Sequence, residues 1–197
     1  MSKTIYTNEF GVEISNDQVD TLGGNYSKVL VDSSTNNWTL ETRYQNGELK
    51  CVINYVYSTS ELNTVVTANP NAILIYIYSS NGYTIREMRT YTSSAITNKS
   101  QTVWDGPDKC ICDESYTMPA NLPKYNETEK MYYDNNGELL YQFTYDATGN
   151  CIYIENIRDY QNDILPADVG VDPLVAFSWM DYSYYHFAYP SVPTGPV

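Results

Sequence analysis

The side chains of this sequence that could do chemistry are one histidine, four cysteines and many carboxylates. A Ser-His-Asp or Cys-His site would have to use His186, since it is the sole imidazole of the sequence. His186 lies in the segment Tyr184-Tyr185-His186-Phe187, where packing among aromatic side chains is the better interpretation. A glycosidase-like pair of carboxylates stays open, because acidic residues are plentiful. We therefore expect no catalytic residue and predict that the protein is not an enzyme.

The cysteines could bind a metal or form disulfides. Cys110 and Cys112 are too close for an ordinary disulfide, and with the distant Cys51 and Cys151 they give no recognised zinc spacing. The N-terminal residues contain no apolar segment typical of a signal peptide, and no run of residues is apolar enough for a membrane helix. We predict a cytoplasmic protein with free thiols, no metal, no cofactor and no membrane partner.

Four carboxylates are clustered within ten residues, at Asp105, Asp108, Asp113 and Glu114. Oxygen ligands of this kind suit calcium, but their spacing does not match an EF-hand loop. A solvated acidic loop is therefore the favoured interpretation, and a calcium site stays the alternative.

The formal net charge of −13 bears on the choice of partner. Nucleic-acid binding requires clustered lysine and arginine, so we expect no nucleic-acid partner. An acidic surface attracts basic proteins and repels anionic membranes. High solubility alone would also account for the charge.

Tyrosine is the compositional outlier, with 21 copies against four phenylalanines and three tryptophans. Tyrosine favours half-buried strand surfaces, and it also recurs in binding surfaces because it brings contact area at low entropic cost. A tyrosine-rich sheet and a tyrosine-lined binding face are therefore both open. The candidate binding residues are tryptophans and tyrosines: Trp38, Tyr55, Tyr57, Tyr76, Tyr78, Trp104, Trp179, Tyr182, Tyr184 and Tyr185.

Asparagine-glycine turns predict the architecture. The Asn-Gly pairs at 46–47, 81–82 and 136–137 lie between segments with strand-like residues, which is the strongest short-range hairpin signal. Residues 139–145 alternate with a period of two, and the run ILIYIY at 73–78 is apolar enough for a central strand.

The remaining segments are less regular. Residues 4–14 predict a first strand, and Ser15 with Gln18 predicts a capping box for a short helix that ends at Gly23 or Gly24. Residues 93–124 are polar or proline-containing and predict an irregular connection. Asp172-Pro173 predicts the start of a second short helix.

Residues 133–139, YDNNGEL, and 145–150, YDATGN, resemble the YD repeats of Rhs-type polymorphic toxins and teneurin-like shells, and residues 44–49, YQNGEL, partly echo them. The resemblance covers residues 133–157 and implies paired β-hairpins and a toxin-system setting. A YD shell has many regular repeats, whereas this chain has two or three.

We predict a single mainly β domain over residues 1–197: an antiparallel meander of hairpins, forming an open curved sheet or a barrel, with one or two short helices. The expected function is binding of a protein partner with a basic surface, as by an acidic immunity protein that neutralises a toxin. One alternative is a β-barrel that binds a small molecule or glycan. Another is a self-assembling protein, a possible homo-oligomer, that uses its aromatic C-terminal segment, residues 177–197.

Overall fold

The computed structural model describes residues 1–117, 124–133, 136–146 and 151–158, except the side chains of 116–117, 124–127 and 132. Several predictions fall on other residues. The helix predicted from Asp172 and the aromatic segment 177–197 lie outside the described residues, as do the candidates Trp179, Tyr182, Tyr184 and Tyr185 and the histidine His186.

The described residues form twelve strands and two short α-helices. The strands are β1 Ser2–Thr7, β2 Glu13–Ile14, β3 Tyr26–Asp32, β4 Trp38–Gln45, β5 Glu48–Val56, β6 Ile73–Ser80, β7 Tyr83–Thr92, β8 Ala95–Asp105, β9 Lys109–Thr117, β10 Lys124–Tyr133, β11 Leu139–Tyr145 and β12 Cys151–Asn156. The helices are α1 Asn16–Val19, which continues as a 3₁₀ turn Asp20–Leu22, and α2 Thr59–Ala68.

All twelve strands belong to one sheet in the order β12-β11-β10-β9-β8-β7-β6-β5-β4-β3-β1-β2. Strands that follow one another along the chain are therefore mostly neighbours in the sheet. β5 and β6 pair with each other in parallel, and α2 is the connection between them. The predicted mainly β antiparallel meander of hairpins with one or two short helices is confirmed, with the parallel pair β5–β6 as the one departure among the described pairs. Because the order is linear and ends at β2 and β12, it is the open sheet of the two alternatives.

The chain divides into two compact units. Unit 1 contains residues 1–77 and 88–96, and unit 2 contains residues 78–87 and the described residues from 97 to 158. A single domain over residues 1–197 stays a prediction.

Two of the three predicted Asn-Gly turns, at 46–47 and 81–82, have the expected backbone. The third, at 136–137, follows residues 134–135, which lie outside the described part of the chain, and its turn type stays a prediction. Asn46 and Gly47 have φ of 53° and 79°, and Asn81 and Gly82 have φ of 52° and 88°. Positive φ at both central residues is the requirement of a type I′ turn, which matches the twist of the flanking strands. The hairpins β4–β5 and β6–β7 therefore follow from local sequence.

The N-terminal prediction is right about the helix and wrong about the strand. The side chain of Gln18 accepts a hydrogen bond of 2.9 Å from the backbone N–H of Ser15, so the capping box is present, and Gly23 ends the helical segment with φ of 60°. Residues 4–14 form two strands rather than one. The side chain of Asn8 breaks the strand, because its Oδ1 accepts hydrogen bonds of 3.0 Å from the N–H groups of Phe10 and Val12.

Helix α2 was missed, although the sequence carries its signal. The hydroxyl of Ser58 accepts from the N–H of Glu61, and the carboxylate of Glu61 accepts from the N–H of Tyr57, which is a capping box shifted by one residue. The helix buries Leu62 against Val56, and the same core includes Leu74 of β6 and Tyr91 of β7.

The irregular connection predicted for residues 93–124 is also wrong, because β8 and β9 occupy most of it and β10 begins at its end. The inward positions of these strands alternate apolar and polar residues, which obscures the strand pattern. Gln101 is 8% exposed and Glu114 is 0% exposed. Gln101 Nε2 donates a hydrogen bond of 2.9 Å to Glu114 Oε2, so each of these buried polar side chains has a hydrogen-bond partner, as is usual for buried polar groups.

Gly24 lies where the loop before β3 packs closely against the backbone of the β4–β5 turn. Gly24 has φ of 81°, and a Cβ there would lie 2.1 Å from the backbone nitrogen of Gly47. Gly23, with φ of 60°, has open space around its Cβ position. We expect Gly23→Ala to lower the free energy of unfolding by about 1–2 kcal/mol through backbone strain alone, and Gly24→Ala to lower it by at least about twice as much. Denaturation in urea measures both, and equal losses would show that the close approach is absent.

Candidate functional site

The buried carboxylate of Glu41 is the centre of a polar network in unit 1. Glu41 lies in β4 with β3 and β5 on either side, paired with Val29 and Ile53, and only 4% of it is exposed. Its Oε1 accepts hydrogen bonds from Ser27 Oγ at 2.8 Å and from Arg43 Nε at 2.7 Å. Its Oε2 accepts from Tyr55 at 2.7 Å and from Arg43 Nη2 at 3.2 Å. The network therefore joins three strands.

These contacts determine the protonation states of the network. Burial acts to raise the pKa of Glu41, but the hydrogen bonds from Arg43, Tyr55 and Ser27 outweigh it and lower the pKa below its ordinary value. Burial, followed by the hydrogen bond to Glu41, raises the pKa of Tyr55 far above its ordinary value. At neutral pH Glu41 is thus an anion held by neutral hydroxyls and one guanidinium.

A cavity of about 460 Å³ lies beside this network. Four aromatic residues belong to its lining: Phe10, Tyr26, Trp38 and Tyr44. Four charged residues also belong to it: Glu9, Glu41, Arg43 and Lys50. Tyr26 and Tyr44 stack on each other with ring centroids 4.8 Å apart. The cavity thus combines aromatic surface with groups that can bind a charged ligand.

Arg43 links the buried network to the cavity. Its side chain is 45% exposed, whereas that of Glu41 is 5% exposed. The contacts to Glu41 use Nε and Nη2, which form one edge of the planar guanidinium. The edge formed by its two terminal nitrogens is not used by those contacts. Arg43 is therefore a fixed cation that can still donate hydrogen bonds.

The turn between β1 and β2 is the most prominent apolar feature of the site. Phe10 is 81% exposed and Val12 is 58% exposed. Besides the two bonds to the Asn8 side chain, the backbone of Asn8 donates to Val12 O and accepts from Gly11 N, each at 3.0 Å. An exposed aromatic ring is thus carried on a turn that four hydrogen bonds hold.

Exposed carboxylates lie on and after this turn. The residues Glu9, Glu13, Asp17 and Asp20 are all exposed, and residues 4–27 contain no lysine or arginine. We call these four carboxylates together with Phe10 the acidic N-terminal surface.

Three of the predicted binding residues come together near the cavity. The Trp38 and Tyr55 rings meet edge to face, with centroids 5.5 Å apart and an interplanar angle of 73°. The hydroxyl of Tyr57 donates a 3.0 Å hydrogen bond to the backbone carbonyl of Trp38. Of the three, Trp38 lines the cavity, while Tyr55 supports it through Glu41.

The other described candidates are held elsewhere. Tyr76 packs on the core formed with α2, with the guanidinium of Arg89 5.4 Å from its ring centre. In unit 2, Tyr78 donates a hydrogen bond of 2.8 Å to Glu87. The guanidinium of Arg86 lies 4.3 Å from the ring centre of Trp104. These contacts show how Tyr76, Tyr78 and Trp104 are held, and their roles as binding residues stay a prediction.

The cysteines are free thiols, and two of them are poor nucleophiles. Burial raises the pKa of Cys110 to about 11. Burial also raises the pKa of Cys112 well above its ordinary value, and nearby Glu114 adds to the effect. Both therefore stay protonated at neutral pH, and the thiol is far less reactive than the thiolate.

The predicted acidic loop at 105–114 does not form as one loop. Asp105 ends β8, Asp108 lies in the following turn, and Asp113 and Glu114 belong to β9, where Glu114 is fully buried. Across the part of the chain that the structure describes, no three His, Cys, Asp or Glu side chains are grouped so as to hold a metal ion. No described helix is long and apolar enough to cross a membrane.

Unit 2 also buries a basic group, the ammonium of Lys130, which is 0% exposed. Burial lowers the pKa of Lys130 to about 8, against the opposing effects of Cys112 and Glu114. Cys112 is its partner across β9 and β10. These side chains lie in the sheet interior, and none of them lines a described cavity.

Glu41, Arg43 and Phe10 are not among the candidate binding residues predicted from the sequence. The first two did leave a signal, because opposite charges two residues apart on a strand point to the same face. Phe10 left none, since its exposure depends on the turn that Asn8 makes.

Tyr55→Phe tests the network. The substitution leaves one acceptor site of the buried Glu41 carboxylate unfilled, and hydrogen bonds to charged groups contribute about 1.5–3 kcal/mol. Tyr57→Phe is the matched control, since it removes a bond to a neutral carbonyl worth about 1 kcal/mol. We expect the larger loss of unfolding free energy at Tyr55, measured by urea denaturation at pH 7. A smaller loss at Tyr55 than at Tyr57 would contradict the network.

Comparison with known proteins adds no relative to this description. No family model, no curated protein and no solved structure matches the chain.

Proposed function

We propose that this chain is a non-enzymatic interaction protein that binds a protein with a basic surface, in the manner of an acidic immunity protein that neutralises a basic toxin. The observation that carries the proposal is the acidic N-terminal surface. It combines an exposed aromatic ring on a hydrogen-bonded turn with exposed carboxylates and no cation in residues 4–27.

Phe10 has the properties of an interface anchor. Large aromatic side chains carry much of the binding energy of protein interfaces when a partner covers them. The Asn8 side chain holds the Phe10 backbone before any partner arrives, so little ordering entropy is lost on binding.

The carboxylates favour a basic partner. Four negative charges beside one apolar anchor steer positively charged proteins toward it and raise the association rate. The net charge of −13 adds to this field. Lysine and arginine side chains of the partner would form ion pairs with the carboxylates of this surface, Glu9, Glu13, Asp17 and Asp20, around the contact made by Phe10.

Two further points support an interaction protein over an enzyme. Cys110 and Cys112 are protonated thiols at neutral pH, and the Glu41 carboxylate is committed to four hydrogen bonds. None of these groups is poised as a nucleophile or general base. The resemblance of residues 133–157 to YD-repeat units also suggests a toxin-system setting. On this proposal the protein acts in the cytoplasm.

Charge neutralisation tests the proposal. One variant changes Glu9→Gln, Glu13→Gln, Asp17→Asn and Asp20→Asn. The control changes four exposed carboxylates elsewhere, Glu48→Gln, Asp105→Asn, Asp108→Asn and Glu138→Gln. Both remove four negative charges. With a partner captured by cross-linking and then purified, we expect the association rate to fall about tenfold in the first variant and far less in the control.

Phe10→Ala should act on the dissociation rate, since anchors act after the encounter. Equal effects of the two charge variants would show that net charge alone matters and would reject the acidic N-terminal surface as the site. A captured partner that is itself acidic would reject the proposal as a whole.

A further inference from the structure

We infer that the cavity beside Arg43 in unit 1 binds the carboxylate group of a ligand that also has a flat apolar part. Arg43 and Lys50 would bind the carboxylate, and Trp38 would contact the apolar part. The proposed function does not require this site, because a basic partner needs the acidic N-terminal surface rather than a cation.

The first support is the way in which Arg43 is fixed. Glu41 holds its Nε and Nη2 edge by two hydrogen bonds of 2.7 Å and 3.2 Å. Ser27 and Tyr55 fill the other acceptor positions of Glu41, so the carboxylate cannot turn away. A guanidinium held by neighbouring strands loses little conformational entropy when a ligand binds.

The second support is what this arrangement leaves for a ligand. With the Nε and Nη2 edge occupied, the edge formed by the two terminal nitrogens can still donate a pair of parallel hydrogen bonds. That fork matches the two oxygens of a carboxylate. The 45% exposure of the Arg43 side chain allows a ligand to approach it.

The third support is the composition of the cavity. Unit 1 has five basic residues, and two of them, Arg43 and Lys50, line this cavity in an otherwise acidic chain. Glu9 also lines it and opposes an anion. The charges of Glu9, Glu41, Arg43 and Lys50 sum to zero, so the lining has no net charge. The attraction for a carboxylate is therefore the local, directional one of the Arg43 fork, and solvent screens the exposed Glu9.

The fourth support is the size of the cavity and the aromatic surface that lines it. A volume of about 460 Å³ lies within the range of small-ligand sites. Trp38 lines the cavity, and its edge-to-face contact with Tyr55 fixes its ring. A small aromatic acid and the carboxyl terminus of a peptide share the required chemistry.

Nuclear magnetic resonance of the full chain tests the inference with four probes. Phenylacetate supplies a small aromatic acid, and N-acetylphenylalanine imitates a peptide carboxyl terminus. Phenylacetamide is the matched neutral compound, and glucose represents an uncharged sugar. The chain has three tryptophans, so loss of one indole N–H signal in Trp38→Phe assigns the reporter.

We expect phenylacetate or N-acetylphenylalanine to shift the Trp38 signal saturably, and the tighter of the two identifies the source of the carboxylate. Phenylacetamide should bind at least about tenfold more weakly, since it lacks the charge that pairs with the guanidinium. Equal binding of acid and amide, a response to glucose alone, or no shift with any probe would each overturn the inference.

Two substitutions localise the site. Arg43→Lys keeps the charge beside Glu41 but loses the fork, and we expect about tenfold weaker binding. Lys50→Gln should weaken binding by about two- to threefold, as expected for one exposed charge. Lys28→Gln, an exposed lysine of unit 1 outside the cavity lining, is the matched control and should leave binding unchanged. Unchanged affinity in Arg43→Lys, with an otherwise native amide spectrum, would also overturn the inference.

The two proposals fail separately. Neutralising the acidic N-terminal surface should leave phenylacetate binding intact or slightly tighter, because the charge of Glu9 is removed. Arg43→Lys should leave association with a basic partner unchanged. The two sites share Glu9 and Phe10, so the decisive variant is one at a residue that only the cavity has. Loss of both activities in Arg43→Lys would contradict the assignment of Arg43 to the carboxylate site alone.

Discussion

The buried carboxylate of Glu41 is the interaction on which the organisation of unit 1 depends. A charge that is 4% exposed is tolerated only where hydrogen bonds replace the lost water. Here the replacements come from the strand on each side as well as from Arg43 in its own strand. The relative register of β3, β4 and β5 is thereby tied to one side chain, since a slip of one residue would turn Glu41 to the opposite face.

Two kinds of surface share residues in unit 1. The acidic N-terminal surface consists of Phe10 and four exposed carboxylates near it in sequence, whereas the cavity presents Arg43, which the buried carboxylate of Glu41 holds in place. Glu9 and Phe10 belong to both. The turn that Asn8 makes therefore contributes residues to both surfaces, and four hydrogen bonds hold it.

The sequence predicts those parts of the fold that local chemistry decides. The Asn-Gly pairs impose positive φ, and Ser15 with Gln18 caps a helix, whatever the rest of the chain does. Strands β8 and β9 were not predicted, because their buried positions include the polar residues Gln101 and Glu114. The hydrogen bond that allows these side chains to be buried joins two strands and is not visible in the sequence. Of the candidate site, Trp38 was predicted, but Arg43 was not, since its role comes from strand neighbours that the sequence alone does not specify.

The most direct test of this account is the pKa of Glu41 itself, followed through its carboxyl carbon by nuclear magnetic resonance. The account predicts a midpoint below the ordinary glutamate value of about 4.3, because the hydrogen bonds to the anion outweigh burial. The stability that this ionised group contributes is then present above that ordinary value and is lost as the pH falls through the folded-state pKa. A midpoint above the ordinary value would mean that burial dominates, that Arg43 is not held, and that the account is wrong.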